Sequence, residues 1–336
     1  MFFILFYFIK SEERLRFDEE GRIIFPDPVL IPEYSNLTRQ TLDDEWKNIR
    51  IKLNMSYITC EVRDPSMCYE EGQIIEFQDA NENLECNKST IFSSHDYTNL
   101  TIMIHNLKDF AERFLKVLPT PTKDYDMELT VRIIYFPSTS RVVAQARPET
   151  FDEYWRPTSG TIWLNALGVL SELSIFETES SSYMNTLIHE FTHSLYALQG
   201  LYHPRNSKDF YKRDQMYCSL TKYGKEFKFQ ISPYSHLFAQ KHYGVDEFVG
   251  DDKTCPSGIE IKDGGGKGTK DFHLKGLTFF GEINIGTGPL IRLTDAAIAI
   301  IQDTGNYICN WSMAQPLVWG NRESQIGGQP IKDFAL

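Results

Sequence analysis

Apolar residues recur at helical spacing in "NLKDFAERFLKVL", where Leu107, Phe110, Ala111, Phe114 and Leu118 share one face and predict a core-facing helix. Upstream, "WKNIRIKLNMSYI" alternates apolar and polar positions with the period of two that marks a strand buried on one side. Two strand-like runs, "MELTVRIIYF" and "RVVAQA", follow the helix, and a shorter one, "GTIWLNA", comes after a turn-rich connector. From about Ser180 to Gly200 a helical body returns in Leu187, Ile188, Phe191, Leu195 and Leu198, with serines available as caps and a glycine at its end. Beyond it the pattern predicts an amphipathic helix ending at Gly244, a glycine-rich loop, and a helix in "LTDAAIAIIQDTG" capped by Thr294 and stopped at Gly305. Residues 11–46 carry no helical period; they are charged and punctuated by Pro26, Pro28 and Pro32, as in a pro-segment or an extended arm.

The helix of residues 180–200 contains "HEFTH", and this changes what the pattern means. Residues four apart on a helix stand one turn up on the same face, their Cβ atoms about 5–6 Å apart. His189 and His193 have that spacing, so two imidazoles can converge on one ion. Glu190 lies about 100° further round, free of the ligand set and placed to act as a general base. A zinc hydrolase needs a third ligand and an open position for water. The short spacing that would put a histidine six residues after His193 finds Gln199 there, so the third ligand lies further along the chain.

Length and composition set the frame for this chemistry. The 336 residues, with 41 % hydrophobic and 24 % charged positions, fit a soluble globular chain of two lobes or one large elaborated domain. A formal net charge of -12 argues against a nucleic-acid binder, which needs a basic face to displace counterions. The apolar run Phe2 to Ile9 fits the core of a signal peptide and is too short to span a bilayer. Sequons stand at Asn36, Asn54, Asn87, Asn99 and Asn310. Six cysteines without a Cys-x-x-Cys pair read as structural disulfides, with one bridge expected within Cys60, Cys68 and Cys86 and one between Cys218 and Cys255. Together these point to a secreted or cell-surface, disulfide-bonded glycoprotein.

Three C-terminal segments, "GIEIKDGGGKGTKDFHLKG", "LTDAAIAIIQDTGNY" and "NWSMAQPLVWG", resemble in order and character those that follow the active-site helix in leishmanolysin-like metalloproteases, a metzincin branch. The stretch "VVAQARPETFDEYWRPTSGTIWLNA" resembles the strand and edge-strand region of that family, and the likeness covers roughly residues 47–320. The resemblance implies an α+β, two-lobed metzincin architecture, one zinc ion, His273 as third ligand and Met313 as the methionine of the turn beneath the metal. It divides the chain into a signal-peptide core at 1–10, the arm at 11–46, a catalytic lobe at 47–200 with the active helix, and a lobe at 201–336. The expected activity is that of a monomeric zinc endopeptidase acting on proteins or peptides, with "GTIWLNA" as the edge strand that holds an extended substrate. The chain departs from the family at Tyr196, where the helix normally ends in glycine, and in having no cysteine before Cys60 to block the zinc. The family's cysteine-rich C-terminal domain is expected to be missing, and no apolar tail suggests a GPI anchor or a transmembrane segment.

Other features read more simply. "GGGKGT" lacks the Lys-Ser/Thr pair of a phosphate loop and implies no nucleotide. His203 competes weakly as a ligand, Glu282 fits either a carboxylate that orients a histidine or a turn salt bridge, and His95, His105, His236 and His242 read as surface or core residues. Asn310 is expected to be too buried for glycosylation. Two other classes stay open: a zincin with a carboxylate third ligand such as Glu226, and a catalytically inactive leishmanolysin-like binding glycoprotein.

Overall fold

The computed structural model describes residues 15–24, 29–30, 46–77, 82–172, 182–195, 211–264, 269–286, 288–318, 320–326 and 329–330. The expected signal core, Asn36, Tyr196, Gly200 and His203 lie outside them.

In chain order the elements begin with short strands β1 (Val29–Leu30), β2 (Lys47–Asn48), β3 (Ile51–Asn54), β4 (Ile74–Glu76) and β5 (Asn83–Glu85). Helix α1 (Ser94–Phe114) and strands β6 (Leu115–Val117), β7 (Met127–Ile134), β8 (Ala144–Phe151) and β9 (Pro157–Asn165) follow. Then come α2 (Ala166–Glu172), α3 (Ser182–Ser194), α4 (Arg213–Met216), β10 (Tyr217–Lys222), β11 (Lys225–Gln230) and α5 (Pro233–Tyr243). Strands β12 (Glu247–Val249), β13 (Thr254–Pro256) and β14 (Ile259–Glu260), helix α6 (Asp295–Asp303), strand β15 (Ile308–Cys309) and a 3-10 turn at Trp311–Met313 complete the site-bearing part. Helices and sheets are interspersed rather than strictly alternating, which makes the fold α+β.

The principal sheet has the order β1-β8-β9-β7-β3. Strands β3, β7 and β9 are parallel to one another, while β8 runs antiparallel to β9 and β1 pairs with β8 in parallel. Strand β9 contains "GTIWLNA" and is central, paired with β7 on one side and β8 on the other. This corrects the expectation of an edge strand there: Ile162, Trp163 and Leu164 are all buried, as a run covered on both faces requires. Strand β8 lies towards the outside of the sheet, and among the described residues its far side pairs with the two residues of β1 alone. It starts later than "RVVAQA" suggests and runs through Pro148, with a register shift beside that residue. Proline lacks an amide hydrogen and is tolerated at such outer, irregular positions.

Helix α1 begins earlier than its apolar stripe, because Ser93 and Asp96 form a capping box that starts it. It stops before Leu118, since Leu115–Val117 turn into strand β6 between β2 and β15. Leu100, Ile104, Leu107, Ala111 and Phe114 bury its inner face. Helix α5 ends at Gly244 with φ 76, and Thr294 caps α6 through its side chain, both as the sequence predicts. The hairpin β10–β11, with Tyr223 and Gly224 at positive φ, has no counterpart in the apolar pattern. It belongs to a small second core of Leu220, Phe229, Phe248 and Cys255, crossed by the Cys218–Cys255 disulfide. The second disulfide is Cys68–Cys86; Cys60 is free and exposed, Cys309 free and buried. No helix among the described residues is long and apolar enough to cross a membrane.

Candidate metal centre

Helix α3 carries the first half of the site. Tyr183, Leu187, Phe191 and Leu195 are fully buried on one flank, which fixes the rotation of the helix. That rotation leaves His189, Glu190 and His193, each at 5–7 % exposure, on another side of the helix, turned towards the 281–286 turn and His273. The hydroxyl of Thr192 lies 2.7 Å from the His189 carbonyl and 2.8 Å from Oδ1 of Asn284, tying the helix to a distant turn.

The second half comes from residues 259–286. Ile261 bridges Leu274 in antiparallel register, and Leu274 bridges Ile285 in parallel, so the His273 segment is the middle of a three-stranded patch. This brings His273 Nε2 to 3.2 Å from His193 Nε2, which is itself 3.1 Å from His189 Nε2. One donor atom of each of the three buried histidines falls within 4.8 Å of the others. The rings of His189 and His193 stand at 83° and those of His193 and His273 at 78°, splayed around a common point.

Two backbone carbonyls orient the rings. His189 Nδ1 meets the Ile283 carbonyl at 2.6 Å, and His273 Nδ1 meets the Thr269 carbonyl at 3.1 Å. A carbonyl oxygen only accepts, so each Nδ1 carries the hydrogen and each Nε2 presents its lone pair inward. Burial pushes His189 down to about 4 and His273 to about 3, and holds His193 well below the usual imidazole value. At neutral pH the site is therefore a cluster of uncharged nitrogen donors. Zinc with bonds of ~2.0–2.1 Å sets tetrahedral donors roughly 3.3–3.4 Å apart, and the observed Nε2 separations fit it. The residues present thus suit a zinc ion held by His189, His193 and His273.

Glu190 Oε1 lies 4.0 Å from His189 Nε2, beside the cluster. Burial alone raises its carboxyl to about 8.

The model of peptidase family M8, leishmanolysin, matches residues 120–326. The chain belongs to the leishmanolysin family. The match spans most of the principal sheet, α3, His273 and α6, the elements that build the centre. Leishmanolysins are zinc-dependent peptidases of metzincin-like fold, and the buried triad here is a donor set of that kind. No curated protein matches the chain.

Met313 sits half-buried against the main core in the Trp311–Met313 turn, and the 281–286 turn touches the histidines through Ile283 and Gly286. Other sequence expectations change. Glu226 is exposed on hairpin β10–β11 and stands outside the cluster, which removes it as a third ligand. Glu282 forms neither a histidine contact nor a salt bridge among the described residues. Its buried carboxylate instead accepts from the Asn284 amide and from the amide and hydroxyl of Thr294, joining the 281–286 turn to the start of α6. Asn310 is exposed, contrary to expectation; its side chain caps the Trp311–Met313 turn and donates to the Arg113 carbonyl. The orienting carbonyls of Thr269 and Ile283 were beyond sequence reasoning, since a backbone acceptor leaves no side-chain signature.

Proposed function

We propose that this chain is a zinc endopeptidase in which His189, His193 and His273 hold the ion and Glu190 is the general base. The observation that carries the reading is the convergence of three buried Nε2 atoms, two from one helical turn and one from 80 residues later, beside the carboxylate of Glu190. When bound, zinc supplies Lewis acidity, which lowers the pKa of water towards ~7 and polarises a peptide carbonyl.

The chain's own groups do the rest. The charge of a zinc ion held by the three neutral histidines would favour the ionised form of Glu190 against the burial that opposes it. Ionised, Glu190 takes a proton from the attacking water and then passes it to the leaving amine. Met313, which packs on the same core, is the methionine of the turn beneath the metal in this reading. The extended substrate is proposed to lie along outer strand β8, in a cleft between a sheet lobe ending near residue 200 and the lobe that carries His273. Two disulfides support a secreted or extracellular setting.

The test is Glu190→Gln in the purified full-length protein. Peptidase activity should fall by at least about a hundredfold, the scale of a lost general base, while one zinc per chain is retained. Near-normal turnover would remove Glu190 from the mechanism, and absence of zinc from the native protein would remove the reading itself.

A further inference from the structure

The antiparallel pairing of Ile261 with Leu274 sets Lys262 directly opposite His273, with the Lys262 amide donating to the His273 carbonyl at 2.8 Å. Residues so paired project from the same face. Gly286 lies against both: a Cβ there would stand 2.9 Å from His273 Cγ, 3.0 Å from His273 Nδ1 and 3.0 Å from Lys262 Nζ. The absence of a side chain at 286 is what lets the ammonium and the imidazole share that space.

The acids of this patch are committed elsewhere. Lys275 pairs with Asp263 and reaches Glu260 at 4.0 Å, and Lys228 pairs with Asp271 at 2.7 Å. Half-buried Lys262 has no acid within ion-pair distance among the described residues. Metal-binding histidines are commonly backed by a carboxylate or a carbonyl, which makes the ligand more basic. Here the carbonyl of Thr269 is present and the carboxylate is replaced by a cation.

We propose that Lys262 is a positioning and tuning residue of the metal centre: its ammonium, fixed beside His273, opposes a second cation on that ring and keeps zinc affinity below what three histidines alone would give. The inference rests on the reading that the triad holds zinc. The two distances of 3.0 Å at Gly286 place the Lys262 ammonium within about 6 Å of His273 Nδ1, with an ion on Nε2 further off across the ring, and like charges at such a separation in partly wet protein repel by an amount that changes a binding constant by about tenfold.

Zinc affinity of the full chain, measured by competition with a chromophoric chelator, tests it without recourse to activity. Lys262→Met should bind zinc about tenfold more tightly than the native protein, and Lys262→Arg within about twofold of it. Lys262→Gln should agree with Lys262→Met. Equal or weaker zinc binding by a folded neutral variant overturns the proposal. So does failure of both neutral variants to fold while Lys262→Arg folds, which would make the ammonium purely structural. If the native protein binds no zinc, the function proposed above falls with it; if native and neutral variants bind equally, only the role of Lys262 falls.

Discussion

The ring of His189 is tethered to Ile283: Nδ1 of one donates to the carbonyl oxygen of the other at 2.6 Å, across 94 residues of chain. Helix α3 therefore does not hold its ligands in position by itself. The 281–286 turn sets the angle of the first histidine and, through Gly286, the room left for the third. Substituting Gly286 by alanine pushes a methyl group into the His273 ring at 2.9 Å from Cγ, an atom with no freedom to swing away. Gly286→Ala should weaken zinc binding by about 10–100-fold, the range seen when a ligand's support is disturbed. Isothermal titration with zinc, alongside circular dichroism to verify folding, measures it; unchanged affinity would show that the ring can be accommodated elsewhere.

Glu260 provides a pH signature separate from the metal ligands. Its carboxyl is buried, receives the hydroxyl of Thr278 and sits 4.0 Å from Lys275. Burial raises it to about 7, above the ordinary 4.5, with the Thr278 hydrogen bond and Lys275 opposing. In this window the folded state holds more protons than the unfolded one, so the contribution of Glu260 is complete below about pH 4.5 and is lost as pH rises through about 7. The loss amounts to about 3 kcal/mol at most. Urea denaturation at a series of pH values should show native stability falling relative to Glu260→Gln between those limits. Parallel curves for the two proteins would place the carboxylate in a wetter setting.

The cysteines differ in accessibility, and alkylation should report it. In the native, non-reduced protein Cys60 should react at once, Cys309 only after denaturation, and the four residues of Cys68–Cys86 and Cys218–Cys255 only after reduction. Peptide mapping under non-reducing conditions reads all three classes. Removing Cys218 and Cys255 together by serine substitution should cost about 4 kcal/mol on the chain-entropy argument for a loop of this length. Recovery of Cys218 as a free thiol would refute the pairing.

Asp126 joins the start of β7 to the residue before β3. Its fully buried carboxylate accepts from the Arg50 amide at 2.9 Å, from Arg50 Nη2 at 2.9 Å and from the Thr120 amide at 2.6 Å. Burial opposes its ionisation, and the Arg50 hydrogen bonds together with Arg156 outweigh it, holding the group below the ordinary carboxylate value. Asp126→Ala leaves these donors unsatisfied and should destabilise the fold by about 3–5 kcal/mol, with Asp126→Asn intermediate. Thermal melts of the three proteins give the order; an alanine variant as stable as the native protein would mean that water replaces the carboxylate.

Much of the centre is legible in the amino-acid sequence. The spacing of His189 and His193 on an apolar helix carries its own geometry, because a four-residue step on a helix has a single spatial meaning. The same holds for the cap at Thr294, the stop at Gly244 and the inner face of α1, which are local and depend on residues close in sequence. Family resemblance points to His273, which no local period singles out.

What lies outside the sequence is long-range. An apolar run such as "GTIWLNA" has the same pattern at a covered edge and in the middle of a sheet, and only the pairing of β9 with both β7 and β8 decides between them. That the 281–286 turn packs on the histidines, through the Ile283 carbonyl and Gly286, has no mark in the local pattern either. Lys262 and His273 form no recognisable pair in the chain until Ile261 and Leu274 fix the register between their segments. The sequence by itself determined the donor types and the helix that presents His189 and His193, since those follow from side-chain chemistry and a local repeat. Tertiary structure alone decided the approach of His273, the carbonyls that hold the rings and the charge beside them, because strand register and backbone acceptors are set by contacts between distant segments.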